Sequence, residues 1–530
     1  MSAARPDSHP PLPSRDRPIA SDSEPSLGRM LACLAGFVLL WTLYAAITEA
    51  PVALKHDMAE AYAWGRQFQW GYNQHPPFWA WICGLWFRVL PRQLWAFAAL
   101  SSLNAGIGLW GAWAAMGEFV TGRTRTLGLA LLLITPLYTF YAYKYDANTI
   151  FLSVWPWMLV WFLRTMRTLR TRDGIFFGIA TACAILSKYY AAILIVTCLL
   201  ASLQMPNRWR LWRRPAPYAA IAVALALIAP HLVWLARNNA PPLRYLASVE
   251  GWGWSWVLAH AANAPASALG MMTGPILVLA WVRLTARPRT AWGWPQGWPQ
   301  GWPQGWPGDP RLRLLATLTF APLILSEIGA LGERTTLTSE MLLGTFPLLP
   351  LVLLALAAPV EQDRVRRITL RLAALVNFGA VAVAPVTMLV RTYVSPAAMK
   401  IGPYQEVARA ATRIWHQRTG LPLRYVAGTH WYENEVAFYS ADRPHAFKDF
   451  NYAAALWVTP ARIARDGLLS VCVASDPQCL ARTARFATPA TTRTTITLAR
   501  HFLGHTARPV RFVITVIPPR ISRSARPDPG

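Results

Sequence analysis

Asp57 and Glu60 lie three residues apart in Asp57-Met58-Ala59-Glu60-Ala61-Tyr62-Ala63-Trp64, and His75 follows in Gly71-Tyr72-Asn73-Gln74-His75-Pro76-Pro77. A carboxylate can take a proton from a hydroxyl or amine acceptor. A basic side chain can hold a phosphate and stabilise it as it leaves. This segment directly follows the apolar run 30–48, so both acids and the histidine sit at a membrane surface among aromatic rings. Ionisable groups beside lipid are costly and are kept there mainly for function. Acids, a histidine and aromatic rings also suit a sugar subsite, which points to an enzyme rather than an inert anchor.

The elements that position these residues are apolar. The 530-residue chain is 54% hydrophobic and 14% charged, too apolar for an ordinary soluble protein. Its apolar runs have the length needed to cross a bilayer, which makes it a mainly α, polytopic membrane protein. The expected spans are 30–48, 94–117, 127–143, 147–166, 174–187, 191–203, 218–236, 256–282, 312–330, 341–356 and 372–390, eleven in all, with twelve or thirteen as the upper count. The net charge of +26 could suggest nucleic acid, but Lys and Arg cluster in short loops, at 122–125, 164–172, 208–214, 283–313 and 364–371. That is the positive-inside pattern, and no nucleic-acid partner is expected. It places the N-terminus in the cytoplasm and the C-terminal tail outside. The short run 77–90 would invert every later loop if it spanned, so it is expected to be a half-inserted helix in the outer interface. Residues 1–29 are expected to form a disordered cytoplasmic tail, 30–391 the membrane domain and 392–530 an outer domain with a flexible end. The repeat at 293–308, GWPQGWPQGWPQGWPG, is a low-complexity cytoplasmic loop with no catalytic role.

This orientation collects one polar set on the outer face: Asp57, Glu60, Arg66, His75, Lys144, Asp146, Asn148, Lys188, His231, Arg237, Arg244, Glu250, Glu333, Arg334 and Glu340. A lipid-linked sugar phosphate needs both signs of charge beside a bilayer. Each residue also has a plainer role. Asp57 could cap a helix beginning near Met58, and Glu60 stands where a capping-box acid would. His75 could shape the Pro-Pro turn, and Asp146 and Asn148 could start the next helix. Lys188, at the outer apex of two short helices, could snorkel. His231 could be a core histidine and Arg244 a solvated loop charge. Tyr62, Trp64 and Tyr72 are candidate substrate-binding rings. No Gly-rich phosphate loop, nucleotide fingerprint or zinc motif is present. A divalent metal is left open, with no residue pattern that indicates one.

The tail after residue 390 alternates helix and strand. Helices are expected at 404–418, 434–439 and 476–485, and strands at 423–427, 454–459, 469–474, 494–498 and 510–517, making a small α/β domain. Cys472 and Cys479, seven apart, can close a disulfide in an oxidising compartment or remain two thiols.

These residues resemble a known group. Asp57-x-Ala59-x-x-Tyr62-x-Trp64 and Gly71-Tyr72-x-x-His75-Pro76-Pro77 look like the first outer loop of the bacterial family 39 glycosyltransferases, relatives of protein O-mannosyltransferases and of the aminoarabinose transferases that modify lipid A. Tyr145-Asp146-Ala147-Asn148, Leu186-Ser187-Lys188-Tyr189-Tyr190 and Pro230-His231-Leu232-Val233-Trp234 match in the same order, so the resemblance covers roughly 31–254. It implies a GT-C membrane fold and a polyprenyl-phosphate sugar donor used on the outer face of the inner membrane. It maps the catalytic base to Asp57 and the basic positions to His75 and Lys188. Many members carry Glu directly after that Asp; here the position is Met58, which leaves the second acidic role, offered to Glu60, without a match. The expected function is sugar transfer to a cell-envelope acceptor (lipid A, a glycan or a protein) in the bacterial inner membrane. Asp57 and Glu60 are the catalytic candidates, and His75, Lys188, Arg244 and His231 the donor-phosphate ligands. Tyr62, Trp64, Tyr72, Asp146 and Asn148 are the substrate contacts. A flippase of lipid-linked glycans is the alternative, and a non-catalytic envelope scaffold a third.

Overall fold

The computed structural model describes residues 25–52, 54–205, 208–248, 251–285, 310–357, 362–394 and 402–520. Residues 1–24 of the expected tail 1–29, the repeat 293–308, Glu250 and the end beyond 520 lie outside these residues, and the tail's last residues 27–29 begin the first helix instead.

The membrane body comprises α1 Leu27–Thr48, α2 His56–Gly65, α3 Phe78–Val89, α4 Leu94–Met116, α5 Gly122–Leu132, α6 Phe151–Thr168, α7 Thr171–Ser187, α8 Ala192–Leu203, α9 Arg208–Trp212, α10 Pro215–Arg237, α11 Pro241–Ser248, α12 Trp254–His260, α13 Asn263–Met271, α14 Thr273–Thr285, α15 Pro310–Gly332, α16 Leu349–Ala357 and α17 Gln362–Tyr393. Among the described residues, α1, α4, α10, α15 and α17 are long and apolar enough to cross a membrane. The bent pair α12–α14 makes a sixth span if it is one crossing. The protein is a multi-pass membrane protein. In α1 the buried side chains Met30, Leu34, Phe37, Trp41, Ala45 and Thr48 recur every three or four residues along one face. Helix α4 is the most enclosed of the five. A Cβ on its Gly108 would collide with the Leu152 carbonyl of α6, so glycine is what lets those helices touch.

Four expected segments differ from the sequence reading. The helix expected over 127–143 ends at Leu132, and residues 133–150 run as turns. Pro136 has no amide hydrogen to continue a helix, and Thr135 and Thr139 turn their hydroxyls onto the Leu132 and Thr135 carbonyls. The helix expected from 147 begins at Phe151, because 147–150 form a turn held by Asp146. The run 341–356 becomes helical only at Leu349, after Pro347. The run 256–282 is broken at Met272, where its two halves meet at 62°. The segment 77–90 is a twelve-residue helix, α3, too short to span.

α2 and α3 cross in backbone contact at Gly65 and Gly84, where a Cβ on either would strike the other's main chain. That crossing fixes the helix bearing Asp57 and Glu60 against the body.

The C-terminal domain contains α18 Tyr404–Thr419, β1 Tyr425–Gly428, α19 Tyr432–Tyr439, β2 His445–Ala446, α20 Pro460–Asp466, β3 Leu468–Val473, α21 Pro477–Ala484, β4 Thr492–Leu498, the small hairpin β5 His501–Phe502 and β6 His505–Thr506, and β7 Val510–Ile517. Its five-stranded sheet has the order β2-β1-β3-β7-β4. β1 pairs in parallel with β2 and β3, and β7 is antiparallel to β3 and β4. β4 alternates half-buried and exposed residues, the mark of an edge strand with one face on a core. Val407, Ala411 and Trp415 of α18 pack on Val426, Val471 and Ile514. The strand expected at 454–459 is absent. Trp457 instead donates its indole N–H to the Ala446 carbonyl, and Thr459 accepts from the Arg462 amide as the N-cap of α20. Cys472 and Cys479 are joined as a disulfide, tying β3 to α21.

This domain docks on α2 through α19. Phe438 enters a nest of Tyr62, Phe87 and Phe97, with ring centroids 5.1, 5.6 and 5.4 Å away. Such aromatic pairs contribute roughly 0.5–1.5 kcal/mol each beyond burial. Arg92 donates to the Phe438 and Ser440 carbonyls at 2.5 and 2.7 Å, and Arg66 donates to those of Arg443 and Pro444.

Candidate active site

Helix α2 starts at His56 with Lys55 in the cap position, and no side chain caps it. Neither capping role considered for Asp57 and Glu60 is therefore taken. Asp57 lies in the first turn, where the helix dipole favours a carboxylate. Three residues along a helix is almost one turn, yet the two acids meet different surroundings.

Asp57 keeps 56% of its side chain open, and its Oδ2 lies 3.5 Å from Lys144 Nζ. Lys144 also contacts Asp146 at 2.9 Å and Glu340 at 2.6 Å. Three carboxylates thus converge on one mostly buried ammonium. Asp146 is itself fixed, because its Oδ1 accepts from the Asn148 and Thr149 amides at 2.7 and 2.8 Å. This Asx turn is what the irregular stretch 133–150 builds in place of a helix. Asn148 then accepts from Lys188 Nζ at 2.6 Å. A polar line therefore runs from Asp57 through Lys144, Asp146 and Asn148 to Lys188, which stands at the break between α7 and α8. Lys188 has a neutral amide as its hydrogen-bond partner, so its charge is not met by a bonded acid.

Burial, then the Asp146 charge, raises the Asp57 pKa, and Lys144 opposes both. Burial also works to lower that of Lys144, but Asp146 and Glu340 outweigh it and keep the ammonium charged. Burial is the chief cause of a lowered pKa at Lys188, partly offset by Asp146, Glu340 and Asp57. A half-buried lysine in this condition gains from a phosphate brought to it.

Glu60 faces the other way. Its Oε1 accepts from Lys448 Nζ of the C-terminal domain at 2.7 Å, with 12% and 5% of the two side chains exposed. Lys448 also donates to Gln74 at 3.2 Å and lies 5.3 Å over the Trp64 ring. Glu60 is thus a sealed counterion at the domain junction, a placement that does not suit a second catalytic acid.

The remaining candidates divide. His75 stands between the two lysines; burial, then Lys188 and Lys448, pushes its pKa down to about 3, so the ring is neutral near pH 7. It can offer a neutral N–H but not the cationic contact expected. His231 is fully buried, with Nδ1 2.6 Å from the Trp70 carbonyl and Nε2 2.8 Å from the Tyr189 hydroxyl. Both nitrogens are used, and the ring ties α10 to the first loop and to the residue after Lys188 rather than meeting a phosphate. Arg244 is exposed on α11 and does not join the cluster among the described residues. The three rings are also core. Tyr62 packs under Phe438, and Trp64 and Tyr72 stack 4.9 Å apart. Tyr72 donates its hydroxyl to the Trp64 carbonyl at 2.8 Å, and each of these rings is 2% exposed or less. Their aromatic character signalled packing here, not sugar stacking.

Lys144 and Glu340 belonged to the outer polar set but were not singled out, and Lys448 was not foreseen at all. Lys144 had a sequence signal, two residues before Asp146. Glu340 and Lys448 had none, because their contacts cross hundreds of residues.

Residues 74–234 match the family described as dolichyl-phosphate-mannose-protein mannosyltransferase. A relative, the lipopolysaccharide core galacturonosyltransferase RgtA of Rhizobium johnstonii, is 28% identical over 204 residues, 36% of this chain. The match spans 38% of that relative's length. The crystal structure of ArnT from Cupriavidus metallidurans bound to undecaprenyl phosphate superposes with a TM-score of 0.60 at 14% identity, over 95% of this chain and 100% of that one. Its apo form gives 0.58 at 15% identity, over 91% and 98%. The protein has the GT-C fold of ArnT, with a small C-terminal sheet region, and the expected resemblance to family 39 glycosyltransferases is borne out.

Proposed function

We propose that the protein moves a sugar from a polyprenyl-phosphate donor to a cell-envelope acceptor at the outer face of the bacterial inner membrane. The observation that carries this reading is the polar line itself. A half-exposed carboxylate, Asp57, stands at one end, and a half-buried lysine bonded to a neutral amide, Lys188, at the other. In the proposed step the acceptor hydroxyl gives its proton to Asp57 as its oxygen bonds to the anomeric carbon. The bond from that carbon to the phosphate oxygen breaks, and the polyprenyl phosphate leaves with the electron pair. Lys188 meets the charge that grows on it, and His75 adds an N–H. The family match, the sugar transfer for which RgtA is named and the lipid bound to ArnT support a lipid-linked donor.

The outer placement of the tail follows from the basic loops and is supported by the Cys472–Cys479 disulfide, which needs an oxidising compartment. Lipid A, another glycan and a protein are all acceptors of suitable chemistry. Flippase sites tend to lie at the midplane between repeats; this cluster gathers at helix ends instead, which favours the transferase.

The test is transfer from undecaprenyl-phosphate sugars to isolated lipopolysaccharide in proteoliposomes, with wild type and Asp57→Asn at equal protein. Loss of transfer in the variant is expected. Wild-type rates from Asp57→Asn would remove it as the base.

A further inference from the structure

Lys144 is the only cation placed within ion-pair distance of Asp57 among the described residues, yet it does not belong to Asp57 alone. It sits closer to Glu340, at 2.6 Å, and to Asp146, at 2.9 Å, than to Asp57, at 3.5 Å. Asp146 is 4% exposed and spends its other oxygen on backbone amides. Asp57 and Glu340 are the two open acids, with 56% and 40% of their side chains exposed. Glu340 comes from a single 3-10 turn, 339–342, between α15 and α16, outside the stretch that carries the family match. A lysine held by a fixed acid and shared between two open ones is arranged to divide its field between them.

We propose that Lys144 is a shared positioning cation, divided between Asp57 and Glu340, and that Glu340 thereby governs how readily Asp57 takes up a proton. The idea deepens the transferase reading, since the proton affinity of Asp57 matters most if it is the base. A purely structural lysine would give the same contacts, but it would not give opposite responses to removal of the cation and removal of the competing acid.

The charged groups around Asp57 are few enough to name. His56 and Glu60 share its helix, and Lys55 precedes it, set 3.8 Å over the Tyr143 ring. Lys144 and Asp146 come from the turns before α6, Lys188 from the break between α7 and α8, and Glu340 from its own turn. From the outer domain, Lys448 is held by Glu60, and Glu435 lies 3.7 Å from His56. Of these, Lys144 lowers the proton affinity of Asp57, while Asp146, Glu60 and Glu340 raise it. Removing Lys144 should therefore raise it, and neutralising Glu340 should lower it twice over, by removing a like charge and by releasing Lys144.

The experiment needs no substrate. A protonated carboxyl gives its proton to a nitrogen of dicyclohexylcarbodiimide and adds through oxygen to its central carbon, rearranging to a stable N-acylurea, so the pH dependence of Asp57 labelling in the full chain, read by peptide mass spectrometry in nanodiscs, reports its protonation. Lys144→Met is expected to move the labelling midpoint up by about one pH unit or more, as loss of an opposite charge within 4 Å does. Glu340→Gln should move it down, and Lys144→Arg should leave it near wild type. Should Lys144→Met fail to fold, Glu340→Gln carries the test alone. A midpoint that stays in place, or rises, in Glu340→Gln overturns the proposal. Opposite shifts together with undiminished transfer by Asp57→Asn would support the charge sharing while removing Asp57 as the base, so the two readings fail separately.

Discussion

Asp57 and Glu60 stand on the same ten-residue helix, each near a lysine, and they are built for different work. Asp57 is open, shares its lysine with two other acids and sits 3.5 Å from it. Glu60 is closed, holds Lys448 at 2.7 Å and lies against Gln74 and the Trp64 ring. The first arrangement leaves a carboxylate able to receive a proton. The second neutralises one and fastens two domains. In the proposed reading, three residues of helix separate a chemical group from a structural one, and exposure and the tightness of the ion pair tell them apart.

The largest effect should come from exchanging the two acids for amides. Asp57→Asn is expected to lower kcat/KM for transfer by about 10²–10⁴-fold, the usual worth of a general base, with thermal unfolding near wild type. Glu60→Gln should do the reverse, keeping much of the activity per folded molecule while lowering the unfolding temperature. If Glu60→Gln abolished transfer in a fully folded protein, the division between the two acids would be wrong.

Next is the closed pair. Lys448→Met strands a nearly buried carboxylate, and breaking such a pair from one side costs about 3–5 kcal/mol. The double variant Lys448→Met with Glu60→Met should recover a good part of that loss, because both charges then disappear together. Differential scanning fluorimetry of the four proteins closes the cycle. Strict additivity would show that the two side chains do not act as a pair.

The same contrast explains what the sequence made legible. The continuous apolar run 30–48 announces α1, and the strand expected at 494–498 falls within β4. The strand at 510–517 was also readable, since its signal is local, whereas the spacing of Cys472 and Cys479 allowed a disulfide without deciding it. The Asp57–His75 segment stood out because charge beside an apolar run is costly. What could not be read is what depends on distant partners. Lys448 meets Glu60 across 388 residues, and Glu340 meets Lys144 from the far half of the chain. Tyr62, Trp64 and Tyr72 looked like ligand rings because nothing local reveals that Phe438 covers one of them and that the other two stack on each other. Pro136 and Pro347 cut helices that hydrophobicity alone would continue.

Lys188 sharpens the open side of the comparison. Its charge rests on a neutral amide, so Lys188→Met should cost less stability than Lys448→Met, since no carboxylate is left stranded by its loss. The expected fall is in affinity for the lipid phosphate, by roughly 10–150-fold, the worth of a hydrogen bond to a charged group. Isothermal titration with undecaprenyl phosphate measures it directly. Equal binding by wild type and variant would move the phosphate away from Lys188.

The smallest effect belongs to His75, which stands between the two regions. Burial, then Lys188 and Lys448, lowers its pKa from 6.5 to about 3 in the folded protein. The unfolded chain therefore binds more protons than the folded one between about pH 3 and 6.5. Stability must rise with pH through that window and fall as the solution is acidified. His75→Asn removes this proton uptake. Its unfolding temperature should thus decline less steeply than wild type from pH 7 to pH 4, with little difference between the two slopes above pH 7. A wild-type slope in the variant would mean that His75 is charged in the folded state. The cation that the first-loop position was expected to supply would then be present after all, beside Lys188.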